Sequence, residues 1–409
     1  LVGSEMCIRD RKEIRPNYVV KGHEFQKMHN PELDIVRSYG GKLLFSSGEV
    51  VYSSADLIGQ ELGAKTNRFG EREGKYFQRH NTGFQNLSKI LTGFKNLKVL
   101  VVGDIIVDDY ITCDPIGMSQ EDPTIVVTPI ETKTYVGGAG VVAAHAKGLG
   151  ANVSYCTVSG DDETADFVHQ FFRQNEIDYE IFADETRPTT RKQRYRANGK
   201  TLLRVNHLRH HGLSDEFSEK LKKAVLRRLQ YVDVLLLSDF NYGCLTQELV
   251  DFFSAEANRL GVFVAADSQA SSQISDISRF KNMDLITPTE REARLAVKDN
   301  ESGVAFLAEI LREKSGAKNI IITLAADGVL INGQWDHVLA SDRLPAFNLS
   351  PKDPAGAGDS LFTTTAMALR LGASIWESAF IGSLAAACQV DRVGNQPLSL
   401  NELMAQCSL

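Results

Sequence analysis

The chain lacks the pairings that build a zinc site or a disulfide scaffold. Its six cysteines (Cys7, Cys113, Cys156, Cys244, Cys388 and Cys407) are scattered and form no C-x-x-C pair, so a reducing, cytoplasmic setting fits best. No apolar run approaches the roughly 20 residues of a membrane helix, and no membrane association is expected. Basic excess is missing too. Against 52 Asp and Glu stand 45 Lys and Arg, a net charge of −7, so a nucleic-acid backbone is a poor candidate partner and a small molecule a better one. The opening Leu1 to Arg11, LVGSEMCIRDR, has no apolar core after a basic start, and so no signal-peptide shape. It reads as a translated sequencing adapter. On that reading residues 1–11 are non-native and the natural chain begins further upstream.

What is present is ordinary for a globular enzyme: 409 residues, 43% hydrophobic and 24% charged. That length accommodates one large α/β domain with an appendage, or two domains. Residues 12–58 carry a short α/β signal: NYVVKG, a helix through NPELDIVRSYGG, then the strand KLLFSS. Residues 59–96 are polar and glycine-dotted, and read as a linker with some helix. From Leu97 the character changes. LKVLVVGD is a continuous apolar run bounded by turn residues, as a strand buried on both faces requires. Similar runs recur at 151–158, 232–239, 262–267, 284–287 and 319–323. Each precedes a stretch long enough for a helix; in 214–229, Phe217, Leu221, Ala224, Val225 and Leu229 share one stripe. This alternation predicts a mostly parallel sheet covered on both faces, with ligands at the carboxyl ends of the strands. Two segments, 107–135 and 187–207, are rich in Thr, Val, Tyr and Arg, and the second has a hairpin signal at Asn198-Gly199. They predict a small β-lid that screens a site from water.

One octapeptide concentrates the chemistry: DPAGAGDS, residues 353–360. It is not a dinucleotide fingerprint, because the third glycine of G-x-G-x-x-G would fall at Leu361, and it lacks the G-K-[ST] of a P-loop. Two readings stay open. In one, Asp359 caps a helix after a glycine turn. In the other, the N–H groups of Ala357, Gly358 and Asp359 form an anion site at a helix start near Asp359, and the Asp359 carboxylate accepts a proton from an attacking hydroxyl.

The octapeptide resembles the D-[TV]-x-G-A-G-D signature of the ribokinase-like (PfkB) carbohydrate kinases. Further pieces follow that family's order: VVGDIIVDDY (101–110), YVGGAGVVAAHAKGLGANV (135–153), LLLSDFNYG (235–243), ITPTEREA (286–293), TLAADG (323–328) and AAACQVDRVGNQP (385–397). The resemblance spans Leu97 to Leu409 and implies a three-layer α/β/α fold with a β-lid. It implies Asp359 as catalytic base, with Gly356, Ala357 and Gly358 as anion hole. For the sugar it implies Asp108, Gly137 and Gly138, joined by Lys192 and Arg194 of the lid for a sugar phosphate. For ATP it implies Thr289, Glu292, Thr323 and Gly328, with Glu292 acting on Mg2+ through water. Asp239 and Asp267, at strand ends, either face the nucleotide or cap turns. PTTRKQRYRANGKTLLRVN (188–206) is most similar to the heptose-phosphate kinases that supply nucleotide-activated heptose for lipopolysaccharide. The implied reaction is ATP-dependent phosphorylation of the anomeric hydroxyl of heptose 7-phosphate. Another sugar or a nucleoside, or a non-catalytic sugar-binding role, are the alternatives. A homodimer through the lid is also implied. Departures from the pattern are Val141 for an Asn, Thr289 for an Asn, Ala325 for a Gly and Tyr242 for a Lys. Residues 12–58, with Lys21 and Ser53-Ser54, resemble the end of a cytidylyltransferase-like domain, without its H-x-G-H site; His23 and His29 do not supply one.

Overall fold

The computed structural model describes residues 18–22, 32–40, 42–46, 71–269, 276–335, 338–348 and 350–407. Residues 1–11, His23, His29 and Ser53-Ser54 lie outside them. The chain forms two compact units, 1–67 and 68–409. In the first, β1 (Tyr18–Gly22), α1 (Glu32–Ser38) and β2 (Lys42–Ser46) make a strand-helix-strand unit, with parallel pairing of Tyr18 to Lys42.

The second unit begins with α2 (Glu71–Arg79), α3 (Phe84–Gly93), β3 (Lys98–Gly103), β4 (Ile105–Met118), β5 (Ile125–Gly138), α4 (Ala139–Gly148), β6 (Asn152–Ser159) and α5 (Glu163–Gln174). There follow β7 (Asp178–Ala183), β8 (Thr190–Ala197), β9 (Lys200–His207), α6 (Asp215–Leu229), β10 (Val234–Asp239), α7 (Gln247–Leu260), β11 (Phe263–Ser268), β12 (Leu285–Ile286) and α8 (Glu290–Val297). The chain closes with α9 (Val304–Ser315), β13 (Ile320–Thr323), β14 (Val329–Trp335), β15 (Val338–Leu344), α10 (Ala357–Arg370), α11 (Ile375–Val390) and α12 (Leu400–Cys407).

Nine strands form one sheet in the order β15-β14-β13-β12-β11-β10-β3-β6-β7, parallel except for the β14–β15 edge. The apolar runs alternate sides, as a pleat dictates. Val99, Val101, Val234 and Leu236 face a core shared with α3, α4, α5, α10, α11 and α12. Leu100, Val102, Leu235 and Leu237 face the opposite core, with α6, α7, α8 and α9. The result is the expected three-layer α/β/α architecture. From β3 the chain steps to β6 on one side and later to β10 on the other, so the carboxyl ends of β3 and β10 mark the switch point where such sheets bind ligands.

The lid is a separate four-stranded sheet, β5-β4-β8-β9. Its hairpin turns at Asn198 (φ +50°) and Gly199 (φ +76°), the left-handed pair that a two-residue hairpin needs. Ile116, Met118, Ile125, Ile130 and Leu203 of this sheet are exposed.

Residues 71–96 differ from the linker expectation. Tyr76, Leu87, Leu91 and Phe94 are fully buried in the same core as α10 and α11. The Tyr76 hydroxyl donates to the Trp376 carbonyl at 2.8 Å, and Arg79 and His80 both reach Asp342 Oδ2 at 2.8 Å. A thin apolar stripe inside a polar segment suffices to dock a helix when a core is there to receive it.

Candidate active site

The octapeptide folds as a turn locked from below. Asp353 accepts the N–H of Ala355 (3.2 Å) and of Gly394 (3.0 Å), and Gln389 Nε2 donates to the Gly394 carbonyl at 3.0 Å. Gly356 takes the left-handed conformation (φ +78°), and α10 starts at Ala357, two residues before the expected start. No side chain caps the helix, so the reading of Asp359 as an N-cap is overturned. Asp359 instead sits in the first turn, 6% exposed, with Oδ1 accepting from Gln269 Nε2 at 2.9 Å. Among the described residues, the N–H groups of Gly358 and Asp359 meet no backbone carbonyl. A Cβ on Gly358 would meet nothing within 4 Å. Unsatisfied N–H groups at the positive end of a 14-residue helix, opening on free space, are the elements of an anion site.

Burial first, and then the charge of Asp108, push the Asp359 carboxyl up to about 7, while Lys192 and Gln269 hold it down. The lid therefore reaches the octapeptide electrostatically. Register sets this up: Asp108 pairs with Lys192 and Tyr110 with Arg194 across β4 and β8. Asp108, 3% exposed, receives Arg194 Nη1 on Oδ1 at 2.5 Å and Asn395 Nδ2 on Oδ2 at 3.1 Å. Gly137 is required here, because a Cβ on it would lie 2.3 Å from Asp108 Oδ2. Gly138 serves the turn into α4, with φ +61° and no room beside the Asp104 carbonyl. Lys192 Nζ lies over the Phe240 and Tyr242 rings, 5.4 and 5.1 Å from their centroids. On the opposite face of the lid, Asp109 is enclosed by Arg191 (2.7 Å), Thr134 (2.9 Å) and Gln193 (3.2 Å).

Carboxylates gather at the strand ends. Asp267, near the carboxyl end of β11, accepts from Thr287 Oγ1 at 3.0 Å, and burial together with Glu292 and Asp359 raises its carboxyl far above the usual range. Thr289 and Glu292 form a reciprocal capping box at the start of α8. Thr289 also bridges to Thr323 at the end of β13. Gly328 is structural, since its φ is +88° and a Cβ would fall 2.1 Å from the Leu344 carbonyl oxygen. Asp239 is consumed by Arg279, Ser268 and the Asn241 N–H, all within 3.0 Å, which decides for turn support.

Three residues not singled out in the sequence prove central. Gln269 links Asp359 to Asp267. Asn395, within the 385–397 signature, touches Asp108. Asp104 accepts the N–H groups of Phe240, Tyr242 and Cys244 at 2.8, 3.2 and 3.0 Å, and burial and Asp239 raise its carboxyl to about 6. Asp104 thereby holds the loop whose two rings carry Lys192. The strand-end position of Asp104, directly after the apolar run of β3, was the available signal.

A nine-stranded, mostly parallel sheet, a β-lid and a glycine turn opening a helix beside a buried carboxylate define an α/β phosphotransferase of the carbohydrate kinase class. The pattern of the pfkB family carbohydrate kinases matches residues 96–402, and the chain belongs to that family. Among curated relatives, the bifunctional protein HldE of Geotalea uraniireducens is 26% identical over 79% of this chain and 65% of its own length. HldE of Caulobacter sp. is 31% identical over 78% of this chain and 64% of its own. The chain thus spans just under two thirds of those proteins. Among solved structures, phosphofructokinase-2 of Escherichia coli in complex with potassium has a TM-score of 0.62 at 16% identity, covering 76% of this chain and all of that one. Ribokinase of Arabidopsis thaliana complexed with ribose and ATP has a TM-score of 0.60 at 15% identity, over 76% of this chain and 99% of that one. At such identities these structures show the ribokinase-like fold. Among the described residues no helix is long and apolar enough to cross a membrane.

Proposed function

We propose that the chain transfers the γ-phosphoryl group of ATP to the anomeric hydroxyl of heptose 7-phosphate, a step toward nucleotide-activated heptose for lipopolysaccharide. The observation that carries the kinase chemistry is the placement of Asp359: a buried carboxylate, raised to about 7, in the first turn of a helix with open N–H groups. A base is most useful when its pKa lies near the working pH. In the reaction the sugar hydroxyl gives its proton to Asp359, and its oxygen bonds to the γ-phosphorus. The bond from that phosphorus to the β,γ-bridging oxygen breaks and ADP leaves. The open N–H groups of Gly358 and Asp359, presented by the Gly356 turn, stabilise the equatorial oxygens, while the Ala357 N–H, expected to join them, donates to the Pro354 carbonyl at 3.4 Å. Asp108 accepts sugar hydroxyls, and Lys192 and Arg194 supply cationic contact to the sugar phosphate.

Thr289, Glu292 and Thr323 line the nucleotide side. The carboxylates Asp267, Glu292 and Asp359 are clustered, with burial first and then Glu292 and Asp359 raising Asp267, and a hard divalent cation suits such an all-oxygen environment. Among the described residues no group of three could ligate a metal directly, which fits Mg2+ carried on the triphosphate and faced by Glu292 through its water shell. Bound there, the ion would spread the phosphoryl charge.

The choice of heptose rests on the resemblance of 188–206 and on the likeness to HldE proteins. The exposed apolar side chains of the lid support pairing of two copies through it, and residues 12–58 are proposed as the end of a nucleotidyltransferase-like domain. ATP consumption across a panel of heptose 7-phosphate, fructose 6-phosphate, ribose and nucleosides, with location of the new phosphate, tests the reading. Activity confined to heptose 7-phosphate is expected; turnover with ribose or fructose 6-phosphate but not heptose 7-phosphate would overturn the sugar, and none at all the kinase.

A further inference from the structure

Asn395 lies outside every strand and helix, on the loop after α11, yet it is 7% exposed and stands at the meeting of three parts of the site. Its Nδ2 donates to Asp108 Oδ2 at 3.1 Å. The same nitrogen lies 3.2 Å from the position of a Cβ on Gly137, and its Oδ1 lies 2.7 Å from that of a Cβ on Gly356. Chemistry settles which way the amide points. A carboxylate with Arg194 on its other oxygen can only accept, so the amide must offer it nitrogen, and Oδ1 must face the Gly356 turn. There Oδ1 is buried without a hydrogen-bond partner among the described residues. A buried acceptor left unpaired is costly. A hydroxyl arriving between Asp108 and the turn that starts α10 would satisfy it.

We infer that Asn395 is a specificity-determining residue of the acceptor subsite: Nδ2 fixes the orientation of Asp108 while Oδ1 accepts a hydrogen bond from a sugar hydroxyl next to the reacting one. The inference rests on the kinase reading above. It makes the subsite selective for acceptors with adjacent hydroxyls, one for Asp108 and one for Asn395. A deoxy analogue would leave Oδ1 unpaired, as the free protein does, and a site built to bond a hydroxyl discriminates strongly against its absence.

Calorimetric titration with heptose 7-phosphate, and separately with ATP, tests this on the full chain, the Asn395→Ala variant and the isosteric Asn395→Asp variant. Asn395→Ala should weaken sugar-phosphate binding about tenfold or more, the scale of one lost buried hydrogen bond. Asn395→Asp, which sets a second carboxylate against Asp108, should weaken it further. ATP affinity and melting temperature should stay near the parent values in at least one variant, and the steady-state loss should fall on the sugar KM. Unchanged sugar affinity in both variants overturns the role of Asn395 and leaves the kinase reading intact. Parallel losses of ATP and sugar affinity in both overturn it in favour of a structural role. A parent protein that neither binds nor phosphorylates any sugar of the panel overturns the kinase reading, and this inference with it.

Discussion

On the lid, the buried carboxylates Asp108 and Asp109 each face a guanidinium, Arg194 at 2.5 Å and Arg191 at 2.7 Å. At the strand ends, Asp267, Glu292 and Asp359 gather, and both aspartates titrate upward, first through burial and then through neighbouring carboxylates: Glu292 and Asp359 for Asp267, Asp108 and Glu292 for Asp359. On the function proposed above, the difference separates binding from chemistry. Paired charges give a fixed, nearly neutral surface on which a polar acceptor can be oriented. Carboxylates gathered without a guanidinium between them, held by amide and hydroxyl donors and by the capping box of α8, concentrate negative charge that an arriving proton or cation relieves. Such an arrangement costs stability, which is why it singles out a candidate functional site.

The sharpest way to break the comparison is at Asp359. Asp359→Asn should lower turnover by about 10²–10⁴-fold, the usual worth of a positioned base, while ATP binding by calorimetry persists; unchanged turnover would remove Asp359 from the chemistry. The same change should stabilise the fold. A carboxyl raised from 3.8 to about 7 binds its proton more tightly folded than unfolded, so stability falls as pH rises through that window. Melting curves should show the variant ahead of the parent at pH 8 and level with it near pH 4.

Next in size is the lid pair. Arg194→Ala leaves Asp108 buried without its main cation, and removing one member of a buried pair costs about 3–5 kcal/mol where burial is complete. Because Arg194 keeps 17% side-chain exposure, a smaller penalty is expected, read as a sugar-phosphate KM raised about 10- to 100-fold with the ATP KM little changed. A matching rise in both constants would show that the walls are not separate.

Lys192 joins them. It lowers the Asp359 carboxyl, so Lys192→Met should move the acid limb of kcat/KM, which falls below about pH 7 as the base is protonated, to higher pH. A shift to lower pH would contradict the placement. The smallest effect is expected at Ala325, which holds a left-handed φ of +52° where the family pattern has glycine. Ala325→Gly relieves a strain of about 1–2 kcal/mol against a flexibility cost of about 0.5–1 kcal/mol, so chemical denaturation should show a gain of up to about 1 kcal/mol. A loss would mean that the methyl packs against something the turn needs.

Much of the framework was legible. The runs at 97–104 and 232–239 became β3 and β10, because a strand buried on both faces must be apolar throughout, and Asn198-Gly199 marked its hairpin for the same reason that few other residues tolerate that turn. The edge strand β15 and its neighbour β14 were not foreseen: β15 is half-exposed and mixes polar and apolar residues, and the buried apolar run of β14 is only Val329 to Ile331 before it meets Asn332. Residues 71–96 were read as a linker because their few buried side chains, Tyr76, Leu87, Leu91 and Phe94, are diluted by polar neighbours. In the candidate site, Asp359 and the glycines were reached through the family resemblance of the octapeptide and its companion segments, since the octapeptide alone left a capped turn equally open. Gln269 and Asn395 were not, because an isolated amide in a loop carries no local pattern.

The sequence by itself determined the layered α/β order, the glycine turn and the residue types for phosphoryl transfer, all properties of contiguous stretches. Tertiary structure alone decided which carboxylates meet a guanidinium and which gather with one another. It drew Asp108, Asn395 and Gly356 into contact across 287 positions of chain between Asp108 and Asn395. Charge and burial act through space, so the pKa of Asp359 belongs to the fold that surrounds it and not to the octapeptide that encodes it.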